Sequence, residues 1–140
     1  MTLRISLKDG ERIIVNGAML RSSGRSSLSI ESKAAILRGR DLMEPDDATT
    51  PARRLYHACI SAYIDRDAKT LHQDRMVAAL TEVMATLQSP VAKAAAASFA
   101  RLVATSDHYR ALADCRALMA MERTADGQIS RDGFSSHVPA

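Results

Sequence analysis

The sequence predicts an α+β protein, a small N-terminal antiparallel β meander followed by a bundle of about four α-helices. Three observations carry this. The first 40 residues alternate apolar and polar side chains in short runs broken by Asp9-Gly10, Asn16-Gly17 and Ser23-Gly24. Beyond Pro51 the apolar spacing changes to i, i+3, i+4. Thr50-Pro51 and Ser89-Pro90 each pair a capping hydroxyl with a proline suited to the first helical position.

The elements follow in order. Leu3, Ile5 and Leu7 alternate with Thr2, Arg4, Ser6 and Lys8, the period of a half-buried strand. Asp9-Gly10 tolerates the positive φ of a tight turn, which predicts a hairpin returning through Glu11 to Val15. Asn16-Gly17 repeats the signal before a third strand at Met19-Leu20, and Ser23-Gly24 precedes a fourth at Leu28-Ser29-Ile30. Ala34 to Leu37 fits a further strand or the start of a helix, since four residues show no decisive period, with strand preferred. Residues 41–51 are acidic, hold two prolines and show no period, so they read as a linker between a basic β module (1–40) and the helices (52–122).

The first helix carries Leu55, Cys59, Ile60, Tyr63 and Ile64 on one side. The second, over about 68–88, has an expected apolar stripe of Leu71, Val77, Leu80, Val83, Met84 and Leu87. A third carries Val91, Ala95, Phe99, Leu102 and Val103. A fourth, capped by Ser106, carries Tyr109, Leu112, Cys115, Leu118 and Met119. After Glu122 the chain turns polar, and 123–140 reads as a mobile tail.

A chain of 140 residues can bury a core without staples. Two cysteines, with no C-x-x-C spacing, make neither a disulfide framework nor a zinc site. Both fall on apolar stripes and read as buried, inert thiols. With no signal-peptide core and no long apolar run, a cytoplasmic protein is expected. No nucleophile elbow, phosphate-binding glycine loop or metalloprotease motif occurs, so no catalytic residue, metal or cofactor is expected and the protein reads as a non-enzyme. His72 with Asp74, and Asp107 with His108, read as solvated helix faces.

Charge singles out the N-terminal segment. Residues 1–40 hold eight Lys/Arg against three acids, a balance of +5, whereas the other hundred residues hold eleven against thirteen. Arg4, Lys8, Arg12, Arg21, Arg25, Arg38 and Arg40 are therefore candidate phosphate contacts for RNA, with a solvated sheet face as the competing reading. No aromatic precedes Tyr56, so this sheet is not expected to be a base-stacking platform of the RRM or OB kind; recognition there would use arginine, backbone amides and RNA shape.

Four blocks resemble the FlbT family, small regulators of flagellin synthesis in flagellated bacteria. They are L-K-D-G-E-R-I-I-V-N-G-A (Leu7 to Ala18), L-R-G-R-D-L-M (Leu37 to Met43), T-T-P-A-R-R-L-Y (Thr49 to Tyr56) and H-Y-R-A-L-A-D-C-R-A-L (His108 to Leu118). The resemblance covers roughly residues 3–122. It implies association with the 5′ untranslated region of flagellin mRNA, repression of translation and decay of the message, with activating roles in some relatives. Cys59 to Ala62 departs from the family's bulkier run, and the tail matches little. The stretch Leu7 to Glu11 followed by Ile13 to Val15 also resembles the opening hairpin of CsrA-type translational regulators. The partners expected are the flagellin mRNA leader and, through the helices, flagellin or another flagellar regulator. The alternative is a protein-interaction module or chaperone-like partner of those proteins, with an indirect effect on the mRNA. Exposed strand edges would allow a dimer, although their arginines and serines oppose it.

Overall fold

The computed structural model describes residues 2–65 and 67–135. Five strands come first: β1 (Leu3–Leu7), β2 (Arg12–Val15), β3 (Ala18–Arg21), β4 (Ser26–Ile30) and β5 (Ile36–Arg38). Short 3-10 turns at Gly39–Asp41 and Pro45–Asp47 lead to α1 (Pro51–Ile64), α2 (Lys69–Thr86), α3 (Pro90–Ala104) and α4 (His108–Ser135). The α+β class, antiparallel strands before four helices, is as the sequence predicts, and Ala34 to Leu37 does contribute a strand.

The strand order corrects the meander. β1 pairs with β4, and β2 pairs with both β3 and β5, so no hairpin joins β1 to β2 at Asp9-Gly10. The tight turn is instead Asn16-Gly17, where both residues take positive φ (51° and 87°), the two-residue geometry that matches strand twist. Registers Leu7↔Ser26 and Arg12↔Arg21 make β1–β2 and β3–β4 the arms of one long hairpin. It is kinked midway, where the Gly10 N–H donates to the Ser22 carbonyl at 2.8 Å, Ser22 N–H to Glu11 at 2.9 Å, and Gly24 N–H to Asp9 Oδ1 at 2.8 Å. Two turn signals facing each other across a ladder bend it rather than end it. For the same reason, the stretch likened to a CsrA-type opening hairpin does not pair with itself.

The kink folds the two-stranded sheet over one face of the three-stranded sheet. Ile5, Leu7 and Ile13 are buried between them, with Val15, Leu28, Ile30 and Ile36 around. The other face offers Ile14 and Leu37 to the helices, where they join Leu55, Cys59, Met76, Val83, Phe99, Leu112, Cys115 and Leu118 in the main core. α1 packs on both α2 and α4, and α3 packs on α4.

Caps at Thr50 and Ser89 form as expected, their hydroxyls accepting the N–H of Arg53 and Ala92. Three expectations about the helices need correction. The buried face of α2 is His72, Met76, Ala79 and Val83; Leu71 and Val77 are 47% and 59% exposed. Val83 and Leu87 of the expected stripe are buried and Leu80 packs against the core, but nearer the start of α2 the packing turns His72 and Met76 inward in place of Leu71 and Val77. Ser106 does not cap α4: it takes φ 62° in the turn, and the first helical bond runs from Ala111 N–H to the Asp107 carbonyl. Finally, α4 does not stop at Glu122 but continues to Ser135. Gly127 and Gly133 each cost roughly 1 kcal/mol in a helix, yet no proline interrupts before Pro139. Residues 136–140 of the expected tail lie outside the described residues.

Candidate nucleic-acid interface

Alternation along the strands decides where each cation goes. Arg4, opposite Ser29, stands on the outer face of β1 and is exposed. Arg38 lies opposite Ile13 on β5, on the face covered by the two-stranded sheet, and is half-buried. Arg12 and Arg21 are directly opposed across β2 and β3, on the other face. Lys8 and Arg25 flank the kink, and Arg40 sits in the 3-10 turn after β5; all three are exposed.

Four of the seven meet. A cleft of about 810 Å³ at the kink is lined by Lys8, Arg25, Arg38 and Arg40, with Ser26 and Ser27 beside them. Arg12, Arg21 and Arg4 are not part of it. Asp9 and Glu11 also line the cleft, so it is not uniformly cationic. Glu11 accepts the Lys8 backbone N–H at 2.9 Å and Arg38 Nη2 at 2.8 Å. The backbone N–H first, then the guanidinium, hold its carboxyl below the usual range, so it is charged at neutral pH. Arg38 Nη2 also donates to the Ser6 carbonyl at 2.8 Å, which makes Arg38 the brace of the cleft rather than a free cation. Lys8, Arg25 and Arg40 are the groups left facing solvent, and the serine hydroxyls can add neutral donors to a phosphate.

Gly39, the first residue of the 3-10 turn after β5, lies against Arg12. A Cβ there would lie 2.9 Å from the Arg12 carbonyl oxygen, so only glycine lets the chain pass that close. Asp41 is then held twice: its carbonyl accepts from Tyr56 Oη at 2.6 Å, and its carboxylate accepts from Arg116 Nη2 at 2.9 Å. Arg116 lies over the Tyr56 ring, 5.5 Å from its centre. Arg40 is thus positioned by a helix surface that sequence reading treated as independent of it.

Two further groups were missed. His72 is buried, with Nε2 3.0 Å from Asp65 Oδ2 and Nδ1 unpartnered, so it pairs with the end of α1 instead of standing on a solvated face beside Asp74. Tyr63 and Tyr109 form a tilted ring pair 5.7 Å apart, and Tyr63 Oη accepts the Ile36 N–H at 3.0 Å, which brings aromatic rings to the sheet from α1 and α4. Cys59 and Cys115 are both fully buried. Among the described residues no group of His, Cys, Asp and Glu side chains could hold a metal ion, and no helix is long and apolar enough to cross a membrane.

A sequence profile described as the flagellar protein FlbT matches residues 3–125. The chain belongs to the FlbT family. A relative from Caulobacter sp. (strain K31), named a probable flagellum biosynthesis repressor protein FlbT, is 34% identical over 131 residues, 93% of this chain and all of that one. The flagellum biosynthesis repressor protein FlbT of Caulobacter vibrioides (strain ATCC 19089 / CIP 103742 / CB 15) is 32% identical, covering 93% of each chain. A Bradyrhizobium diazoefficiens relative, a probable repressor FlbT 1, is 36% identical over 91% of this chain and 87% of its own. No solved structure matches. The blocks by which the sequence resembles FlbT proteins meet in space: Asp41, Tyr56 and Arg116 come from three of them and form one hydrogen-bonded group.

Proposed function

We propose that this chain represses flagellum biosynthesis after transcription, by binding the 5′ untranslated region of flagellin mRNA, blocking its translation and promoting its decay. The observation that carries the reading is the convergence of Lys8, Arg25 and Arg40, from separate segments, on one cleft. The names of the FlbT relatives support the repressor role. The reading is non-enzymatic and cytoplasmic, with decay falling to a recruited nuclease: Glu11 in the cleft is held by the Lys8 backbone N–H and by Arg38.

A binding titration of the full chain against flagellin leader RNA at several salt concentrations tests it. Three to five phosphate contacts predict a slope of log affinity on log salt of about −2 to −3.5. Charge reversal at Arg25 and Arg40, both exposed in the cleft, flattens the slope and leaves thermal stability nearly unchanged, because exposed cations contribute little to folding. Arg101, exposed on α3, is the control; Arg116 is unsuitable because it anchors Asp41. An unchanged affinity and slope in the double reversal would overturn direct recognition by the β module. It would then favour the second reading, a module that docks flagellin or another flagellar regulator, for which exposed Leu71, Val77 and Val91 offer apolar contacts.

A further inference from the structure

We propose that Tyr109, backed by Tyr63, is a stacking surface for an unpaired base of the bound RNA. The inference rests on the RNA-binding reading above and adds to it a ligand chemistry, single-stranded rather than duplex. Tyr109 opens α4 and is 49% exposed, although its ring leans on Tyr63 at 5.7 Å between centres. Tyr63 is tied to the sheet through the Ile36 N–H, so the exposed ring rests on an anchored support.

The location points to nucleic acid. Ile36 lies opposite Val15, the last residue of β2 before the Asn16-Gly17 turn, and this turn abuts the end of α1: a Cβ on Gly17 would lie 3.1 Å from the Ile64 carbonyl oxygen. The tyrosine pair therefore stands at the turn end of the three-stranded sheet. β5, to which Tyr63 is tied, is one edge of that sheet; β3, across β2, is the other, and it leads from the turn past Met19, 52% exposed, to Arg21 and its neighbour Arg12, about 10 Å along. Arg12, Met19 and Arg21 lie on the sheet face whose Ile14 and Leu37 join the helical core, and Met19 and Arg21 are exposed beyond that contact. Arg12 and Arg21 are directly opposed, and neither has an acidic partner among the described residues. Like charges in that arrangement repel, and a phosphate between them removes the repulsion. A backbone held at the arginines can deliver a base to the tyrosine. A π face accepts any base, so the contact adds affinity with little sequence preference. A duplex offers no free base face and gains nothing.

The experiment is fluorescence anisotropy of labelled leader RNA with the full-length protein carrying Tyr109→Ala, Tyr109→Phe or Tyr109→Leu, each checked for fold by circular dichroism. Tyr109→Ala is expected to lose about 5- to 100-fold in affinity, Tyr109→Phe to bind within about two-fold of the parent, and Tyr109→Leu to resemble alanine. The salt slope stays unchanged in all three, unlike in Arg12→Glu with Arg21→Glu, where it flattens. In the unsubstituted protein, 4-thiouridine in the RNA should cross-link to Tyr109, read by mass spectrometry. Parent-like affinity of folded Tyr109→Ala, while the arginine reversal weakens binding, overturns the stacking proposal, leaves the RNA reading intact and turns Tyr109 into a protein-docking candidate. Parent-like binding in every variant, including reversal of Arg25 and Arg40 in the cleft, overturns the RNA reading itself and the stacking with it.

Discussion

Glu122 closes the start of helix α1 from a distance of seventy-two residues: its Oε1 accepts the Thr50 hydroxyl at 2.5 Å, and its Oε2 accepts the Ala52 N–H at 2.8 Å. Thr50 Oγ1 in turn accepts the Arg53 N–H at 3.2 Å, and Pro51 has no N–H to satisfy. The glutamate of a capping box is ordinarily three residues from its hydroxyl partner. Here α4 supplies it, which ties the two helices together at that end.

Replacing Glu122 by alanine should therefore destabilise the fold by about 1–3 kcal/mol, the cost of leaving a half-buried donor unpaired, with Glu122→Gln retaining part of the loss. Urea unfolding measures this. A change under about 0.5 kcal/mol would mean that water serves the helix start equally well.

Substitutions along α2 should rank by the face the structure buries. Met76→Ala is expected to cost about 2–5 kcal/mol. Leu80, which only packs partly against the core, should cost less, and Leu71→Ala should stay within about 0.5 kcal/mol because its side chain is half in water. An equal loss at Leu71 and Met76 would place the sequence-predicted stripe, not the observed one, against α1.

Asp65 should contribute stability that depends on pH. The hydrogen bond with His72, then the backbone N–H of Asp67, holds its carboxyl below the ordinary 3.8. A depressed carboxylate stabilises the folded state above its unfolded value and loses that contribution as pH falls through the folded one. The gap in denaturation midpoint between the parent and Asp65→Asn should thus be full at neutral pH and narrow below about pH 4. A gap that persists undiminished into acid would show that the charge of Asp65 plays no part.

Both thiols should resist a maleimide reagent in the native protein and react once it is unfolded. The hydrogen bond between Cys115 and Cys59, together with burial, pushes the Cys115 thiol far above the ordinary range, so no reactive thiolate forms. Mass spectrometry that finds rapid native labelling at either position would show that α1 and α4 separate readily.

The sequence by itself determined most local features: the order of strands and helices, the caps at Thr50 and Ser89, the turn at Asn16-Gly17, and the clustering of cations before residue 41. These follow from period, turn chemistry and composition, which act over a few residues. The tertiary structure alone decided which strands pair, because Asp9-Gly10 and Ser23-Gly24 read identically as hairpin ends or as the two sides of one kink until their hydrogen bonds are seen. It likewise chose His72 and Met76 over Leu71 and Val77, since two faces of one helix can each satisfy apolar spacing and only the partner helix distinguishes them. The candidate interface divides in the same way. Its charges were legible in the first 40 residues, whereas the bracing of Arg38 by Glu11, the hold on Asp41 next to Arg40, and the tyrosine pair all come from contacts between residues 15 to 75 positions apart. Separations of that size leave no periodic trace in a single chain, so only packing reveals them.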